Sequence, residues 1–476
     1  MVATSVRTSS SASMAAIPSE VGIRRAATVP VHTAGAVVCA AFGALAIASQ
    51  CPPIAWWFYL GIMGVAWTAV VWAWRCGSPT VLAVMGWAIA VRVVAAFSQP
   101  IYEDDAWRYL WDGWRVASSG APYGLAPSEW FGDLTVPPNG HVVLDRINHP
   151  TLPTIYGPVC QAVFGLAHLI DPWRLWPLKL LIGAAELGLL AWLAARYPGR
   201  HLLLYAWCPL VIQEVWCSAH VDALALLPAL VGVDFVLRGR THIGGLLLGV
   251  ALATRLSLLP VVLVVLMVDL RSAWRVGVAA ALCYAPFALV GGSLGFESTR
   301  VMTQDWRFND LGNALLNSLL GSWGRVVASG IAGLGLLVLA WRIRFARTRP
   351  KLLAHPEYLV AVAMAWALLW SPVTNPWYVL WLMPALAVRP SAWILGTAIA
   401  MPVCYLTGHV LGIEELWTYD HPWWVRWLEI LLICGGCLLS LWGWYRQRQM
   451  PPVQPPIQPL PDDSPQDSDE AYAKRL

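Results

Sequence analysis

Apolar and polar positions fall in long blocks, not in the short alternations of strands or the half-polar rhythm of surface helices. Apolar runs at about 33–49, 54–74 and 79–98 are each long enough, or nearly so, to cross a hydrocarbon core of about 30 Å. A mixed segment follows at 99–154, after which apolar runs return at 155–170, 174–195, 201–217, 223–237, 243–258 and 276–291. Beyond a polar loop holding Gln304, Asp305, Trp306, Arg307, Asn309 and Asp310, a long span leads to runs at 357–370, 376–388, 391–411 and 422–444. Backbone in lipid must bond to itself, so the pattern predicts an all-α polytopic membrane protein of about 12–14 transmembrane helices.

The joints between runs carry the orientation signal. Arg7, Arg24, Arg25, Arg75, Arg196, Arg200, Arg238, Arg240, Arg271, Arg275 and the basic stretch 342–351 all suit cytosolic loops. That parity predicts a multi-pass inner (plasma) membrane protein with both termini cytosolic and 99–154 outside. Residues 1–32 read as a disordered cytosolic tail, 33–445 as the transmembrane domain, and 446–476 as a proline-rich disordered cytosolic tail. Between 155 and 196 only one crossing fits. The run 174–195 takes it, and 155–170, which carries Gln161 and His168, is predicted to be an interfacial or re-entrant helix.

Composition agrees with the pattern. The chain is 58% hydrophobic and only 12% charged, which excludes an ordinary soluble domain, and its 30 tryptophans suit a protein with many membrane interfaces. A net charge of +4, carried in short loop clusters, offers no surface for nucleic acid. Cys434 and Cys437 form a C-x-x-C inside a span, where a buried structural pair is expected.

Charge is concentrated where function is to be sought. Residues 102–115 place Glu103, Asp104, Asp105, Asp112, Arg108 and Arg115 among Trp107, Trp111 and Trp114. As a helix from Asp104, the stretch would set Asp105, Arg108, Asp112, Arg115 and Ser119 on one face and the tryptophans with Leu110 on another. Such a helix suits a membrane interface, rings among headgroups and acids toward water. Arg108, Asp112 and Arg115 can neutralise one another, whereas three adjacent acids at 103–105 exceed what a helix dipole explains. Asp104, Asp105, His149, Glu214, His220, Asp222, Arg255, Asp310 and Asn375 all fall at predicted outer helix ends or in outer loops. Glu186 stands in mid-span with no evident partner, and Arg92 is near enough to a helix end to snorkel.

Several of these stretches resemble the GT-C superfamily of membrane glycosyltransferases, in its bacterial mannosyltransferase-like branch, glycosyltransferase family 87 and relatives. They are Asp104-Asp105-Ala-Trp-Arg-Tyr-Leu-Trp-Asp-Gly with Gly120-Ala-Pro-Tyr, Ile147-Asn-His-Pro with Ile155-Tyr-Gly-Pro, and Trp207-Cys-Pro with Glu214 and Ala219-His-Val-Asp. Ala253-Thr-Arg-Leu and Ser371-Pro-Val-Thr-Asn-Pro-Trp-Tyr complete the set. Arg255 stands where relatives commonly have lysine, and Gly157-Pro158 where they often have two prolines.

The resemblance implies a GT-C-like bundle that transfers a hexose, mannose favoured, from a polyprenyl-phosphate-sugar donor to a lipid- or glycan-linked acceptor at the outer face, with inversion. It implies Asp105 as general base with Asp104 beside it. Arg255, Arg108 and His220 would bind the donor phosphate, and Asp222, His149, Tyr156, Asn375, Trp377 and Tyr378 the substrates. A divalent cation is the one cofactor left open, and it would fall to Asp104. The partners implied are the lipid-linked donor, a glycan or glycolipid acceptor and membrane lipid. The competing class is a transporter or flippase for lipid-linked sugars, with the acids and histidines as a proton or cation relay.

Overall fold

A computed structural model describes residues 20–299, 301, 305–345 and 355–449, and within them the chain is helical with no strand. It opens with α1 (Glu20–Ala48), α2 (Trp56–Cys76) and α3 (Val81–Ala96). The mixed segment contributes α4 (Asp105–Ser119) and α5 (Pro138–Leu144), followed by α6 (Pro158–Ile170) and α7 (Trp176–Arg196). Next come α8 (Leu202–Ala206) and α9 (Pro209–Val211), which runs into a π-helical turn at Ile212–Cys217. Then follow α10 (Asp222–Leu237), α11 (Thr241–Thr254), α12 (Leu259–Val268) and α13 (Ala273–Gly291). The chain continues through α14 (Leu311–Leu320), α15 (Gly324–Phe345) and α16 (Pro356–Leu369). A 3-10 segment at Pro376–Leu382, α17 (Ala385–Val388), α18 (Ala392–Ala400), α19 (Gly408–Leu411) and α20 (Trp423–Gln449) complete it.

Local chemistry sets several boundaries. The Thr80 hydroxyl accepts from the Ala83 amide at 3.2 Å to cap α3, and proline stands in the first turn of α5, α6, α7, α9 and α16, where its missing N–H is no loss. Gly120, at φ 67°, ends α4 in the left-handed region.

Six helices among the described residues are long and apolar enough to cross a membrane: Val29–Ala48, Trp56–Cys76, Trp176–Arg196, Leu270–Gly291, Leu311–Phe345 and Trp423–Arg446. Shorter apolar helices fill out the bundle. Large apolar side chains cover its outside, with Leu289 86% and Leu438 66% exposed, as lipid contact requires and water would penalise. The chain is an all-α, membrane-embedded protein. The stretch Leu311–Phe345 is not one rod: a turn at Gly321–Trp323 folds α15 back beside Asn317 of α14, so α15 alone makes the long run.

The helix ends gather at two poles. At one, Trp74 donates to His201 at 3.1 Å, Arg196 pairs with Asp234 at 2.9 Å, Tyr197 donates to Glu357 at 3.1 Å, and Arg344 reaches the Val268 carbonyl at 2.5 Å. This pole carries the basic joints. The other gathers the loops at 49–54, 97–105, 147–157, 305–310, 371–378 and 404–420 around a cavity.

Four expectations need correction. Helix α1 begins at Glu20, inside the stretch predicted to be a disordered tail; residues 1–19 and 450–476 lie outside the described residues. Glu186 does have a partner: Arg92, 1% exposed, binds it through both Nε and Nη2 at 2.7 and 2.6 Å rather than snorkelling. Cys434 and Cys437 are exposed on α20, not buried.

The fourth concerns α4, whose charged face does not look to water. Asp112, 1% exposed, accepts from Gln161 at 2.9 Å and from Thr154 at 2.5 Å, while Arg108 lies 3.5 Å from it. Helix α6 lies along α4 and covers that face; Gly113 passes so close to Phe164 that a Cβ there would stand 2.5 Å from its carbonyl oxygen. The tryptophans pack on each other. Trp111 and Trp114 lie 4.8 Å apart, Trp173 stands 6.0 Å from Trp114, and Arg115 sits 4.2 Å over Trp130. The mixed segment therefore has its own small core, with Leu110, Val143 and Leu144 in it.

Candidate functional site

The cavity at the second pole has a volume of about 1210 Å³, larger than a single drug-sized ligand needs. Its wall includes Asp104, Asp105, His149, Tyr156, Arg255, Asn375, Trp377 and Tyr378 from the predicted set. Asp105 is the first residue of α4. Its Oδ2 accepts from the Tyr156 hydroxyl at 2.9 Å and from Tyr109 at 3.3 Å, and no hydrogen bond reaches its Oδ1 among the described residues. The Arg255 guanidinium lies 5.8 Å from the Tyr156 ring centroid and 5.5 Å from that of Tyr378. One tyrosine thus meets a carboxylate through its hydroxyl and a cation over its ring, all three lining one chamber.

Arg255 follows α11 directly, where the chain turns extended at φ −139°. Asp222 pairs with it at 2.9 Å, and Trp381 donates to the same carboxylate at 3.1 Å. Burial alone would weaken this cation, but Asp222 outweighs it and holds the guanidinium protonated. The Gly157 departure has a reason here: a Cβ on that residue would collide with the Ala253 carbonyl, so α6 starts against the last turn of α11 only because residue 157 lacks one.

Asp104 does not cap α4. Its Oδ1 accepts from Asn148 at 3.2 Å, and Asn148 in turn accepts from Tyr419 at 3.0 Å. Burial, then the Asp105 charge, pushes the Asp104 carboxyl up to about 6. His149 adopts φ 49° beside Trp306 at 4.7 Å, and burial lowers its basicity. Tyr102, Ala219 and Asn309 also hold positive φ at this pole. Backbone strain of about 1–3 kcal/mol each is tolerated where a site needs the geometry.

Three predicted residues do not reach the cavity wall. Arg108 is turned to Asp112 and donates to the Leu152 carbonyl, which removes it from phosphate binding. Asp222 lies behind Arg255, so its contact is to that cation and not to a substrate. His220 is fully buried, stacked on Trp377 at 3.9 Å, with Nδ1 2.9 Å from Glu214 and Nε2 3.9 Å from Glu103. It too sits one layer behind the wall. Burial opposes its imidazolium, yet the two carboxylates raise it to about 10, and burial pushes Glu103 up to about 8.

Sequence reasoning passed over Glu103 as a site residue and over the Tyr405 hydroxyl, which donates to both Glu214 oxygens at 2.9 and 3.1 Å. Glu103 stood in the acidic run that drew attention, but nothing in the spacing tied it to residue 220. The groups close enough to share a cation are Glu103, Asp105 and His220, with one ligand atom each within 4.8 Å of the others; Asp104, the residue expected to hold one, is not among them.

Comparison with protein-family models, with curated proteins and with solved structures finds no match for the chain.

Proposed function

We propose that the protein is an integral membrane glycosyltransferase. It moves a hexose, mannose favoured, from a polyprenyl-phosphate donor to a lipid- or glycan-linked acceptor at the outer face, with inversion. The observation that carries this is that Asp105 and Arg255 both contact Tyr156, at its hydroxyl and over its ring, on the wall of one large chamber. Asp105 Oδ1 takes the proton of the acceptor hydroxyl as its oxygen bonds to the anomeric carbon. The bond from that carbon to the phosphate oxygen breaks, and the phosphate leaves with the electron pair toward Arg255. Trp377, Tyr378, Trp306 and Tyr419 offer flat faces for sugar rings.

The outer location is supported by charge. Arg75, Arg196, Arg238, Arg240, Arg342 and Arg344 belong to the pole remote from the cavity, the arrangement that marks a cytosolic side. Acids collected at one pole also suit transfer to a lipid-borne acceptor better than alternating access, which places its groups at mid-membrane.

Asp105→Asn tests the reading. Membranes holding the variant, incubated with a radiolabelled polyprenyl-phosphate hexose, should form labelled glycan or glycolipid about a hundred- to ten-thousandfold more slowly than the parent. The purified variant should elute as the parent does. Transfer near the parental rate would overturn the assignment of Asp105.

A further inference from the structure

We propose that Glu103, Asp105 and His220 form a binding site for one divalent transition-metal cation, with Glu214 orienting the imidazole. The three side chains come from the loop before α4, the start of α4 and the turn before α10, and each brings a ligand atom to within 4.8 Å of the others. Acids alone would not make a site. The second observation is His220, which is 0% exposed and whose Nε2 has no hydrogen-bond partner among the described residues.

The ring is held on every side but one. Its face stacks on Trp377 at 3.9 Å with 15° between planes, and Nδ1 stands 2.9 Å from Glu214 Oε2, itself fixed by Tyr405. A carboxylate at Nδ1 sets the tautomer that frees the Nε2 lone pair, the usual backing of a metal-bound histidine. Nε2 then faces Glu103 Oε2 at 3.9 Å. That is too long for a hydrogen bond, but it matches two ligands of one ion. Metal–ligand bonds of about 2.0–2.2 Å set neighbouring donors roughly 3.0–4.3 Å apart.

One imidazole with two carboxylates suits manganese or zinc better than magnesium or calcium, which take oxygen alone. A metal takes neutral imidazole and ionised carboxylate, so its affinity should rise with pH. Asp104 stays out, since its carboxylate is turned to Asn148 at 3.2 Å. Three protein ligands leave positions open toward the cavity that Glu103 and Asp105 line.

The test is a titration of chelator-stripped, detergent-purified protein with Mn²⁺, free ion being read by electron paramagnetic resonance. One saturable site is expected. His220→Gln and Glu103→Gln should each weaken it at least tenfold, Glu214→Gln by about ten- to a hundredfold, and Asp104→Asn by less than threefold. Absence of saturable uptake by the parent chain, or parental affinity in both ligand variants, overturns the site. Thermal melting of each variant without metal shows whether a lost site is a lost fold, and three independent variants keep one unstable protein from deciding the matter. No sugar enters the experiment, so its failure is separate from failure of the transfer assay.

Discussion

Glu186→Gln is the sharpest probe of how this bundle is held. Arg92 and Glu186 are each 1% exposed, and the guanidinium binds the carboxylate at 2.7 and 2.6 Å while its Nη1 donates to the Ala206 carbonyl at 2.6 Å and the Ala88 carbonyl at 2.9 Å. Trp216 adds a bond to Glu186 at 3.1 Å. The glutamine is nearly isosteric, so packing survives, but a guanidinium is left in the bundle without a counter-charge. Removing one partner of such a pair costs about 3–5 kcal/mol, whereas replacing both by apolar groups of similar volume is often near neutral. Glu186→Gln and Arg92→Met should therefore each lose about 3–5 kcal/mol, and the variant carrying both Arg92→Met and Glu186→Gln should lose less than their sum by a coupling of up to about 3 kcal/mol. Unfolding in detergent micelles, followed by tryptophan fluorescence and by thiol labelling of the buried Cys208 and Cys217, measures it. Single variants within about 1 kcal/mol of the parent, or additive losses, would refute the reasoning.

Two further outcomes follow from the site. Tyr156→Phe keeps the ring beneath Arg255 but removes the hydroxyl that donates to Asp105 at 2.9 Å; a bond to a charged group is worth about 1.5–3 kcal/mol, so transfer should slow about ten- to a hundredfold in kcat with donor KM little changed. A loss carried by KM instead would show that Tyr156 binds donor rather than positions Asp105. Gly157→Ala drives a methyl into the Ala253 carbonyl and should lower stability by about 1–3 kcal/mol, read as a lower Tm; a parental Tm would mean α6 and α11 can part freely.

The class of the protein was legible because hydropathy and loop charge are properties of position along the chain. The same properties read about 12–14 crossings, whereas six helices among the described residues are long and apolar enough to span, the other apolar runs forming shorter helices. The acidic run was legible for the same reason, since charge is rare in this chain. What lay beyond reach was the rotation of each helix about its axis. The periodicity of α4 put Arg108, Asp112 and Arg115 on one face correctly, but whether that face met water or α6 depended on a helix about fifty residues later. The tryptophans were assigned to lipid for want of any sign that Trp130 and Trp173 would close over them. His220 and Asp222 sit at the predicted end of their helix, yet one step behind the cavity wall, because Trp377 and Arg255 fold in front.

The mid-bundle pair and the cavity are also linked through one irregular turn. A regular α-helix from Pro209 would advance each side chain by about 100°; the π-helical turn at Ile212–Cys217 adds a residue and changes that rotation. Within this single turn Trp216 points to Glu186, while Glu214 faces Tyr405 and His220. Ala219 then takes φ 62°, which brings the His220 amide back to the Glu214 carbonyl at 2.9 Å. The strained turn is therefore clamped at both ends, by Arg92 through Glu186 and by Tyr405 through Glu214. One turn thus joins the buried Arg92–Glu186 pair, through Trp216, to the Glu214–His220 contact behind the cavity wall.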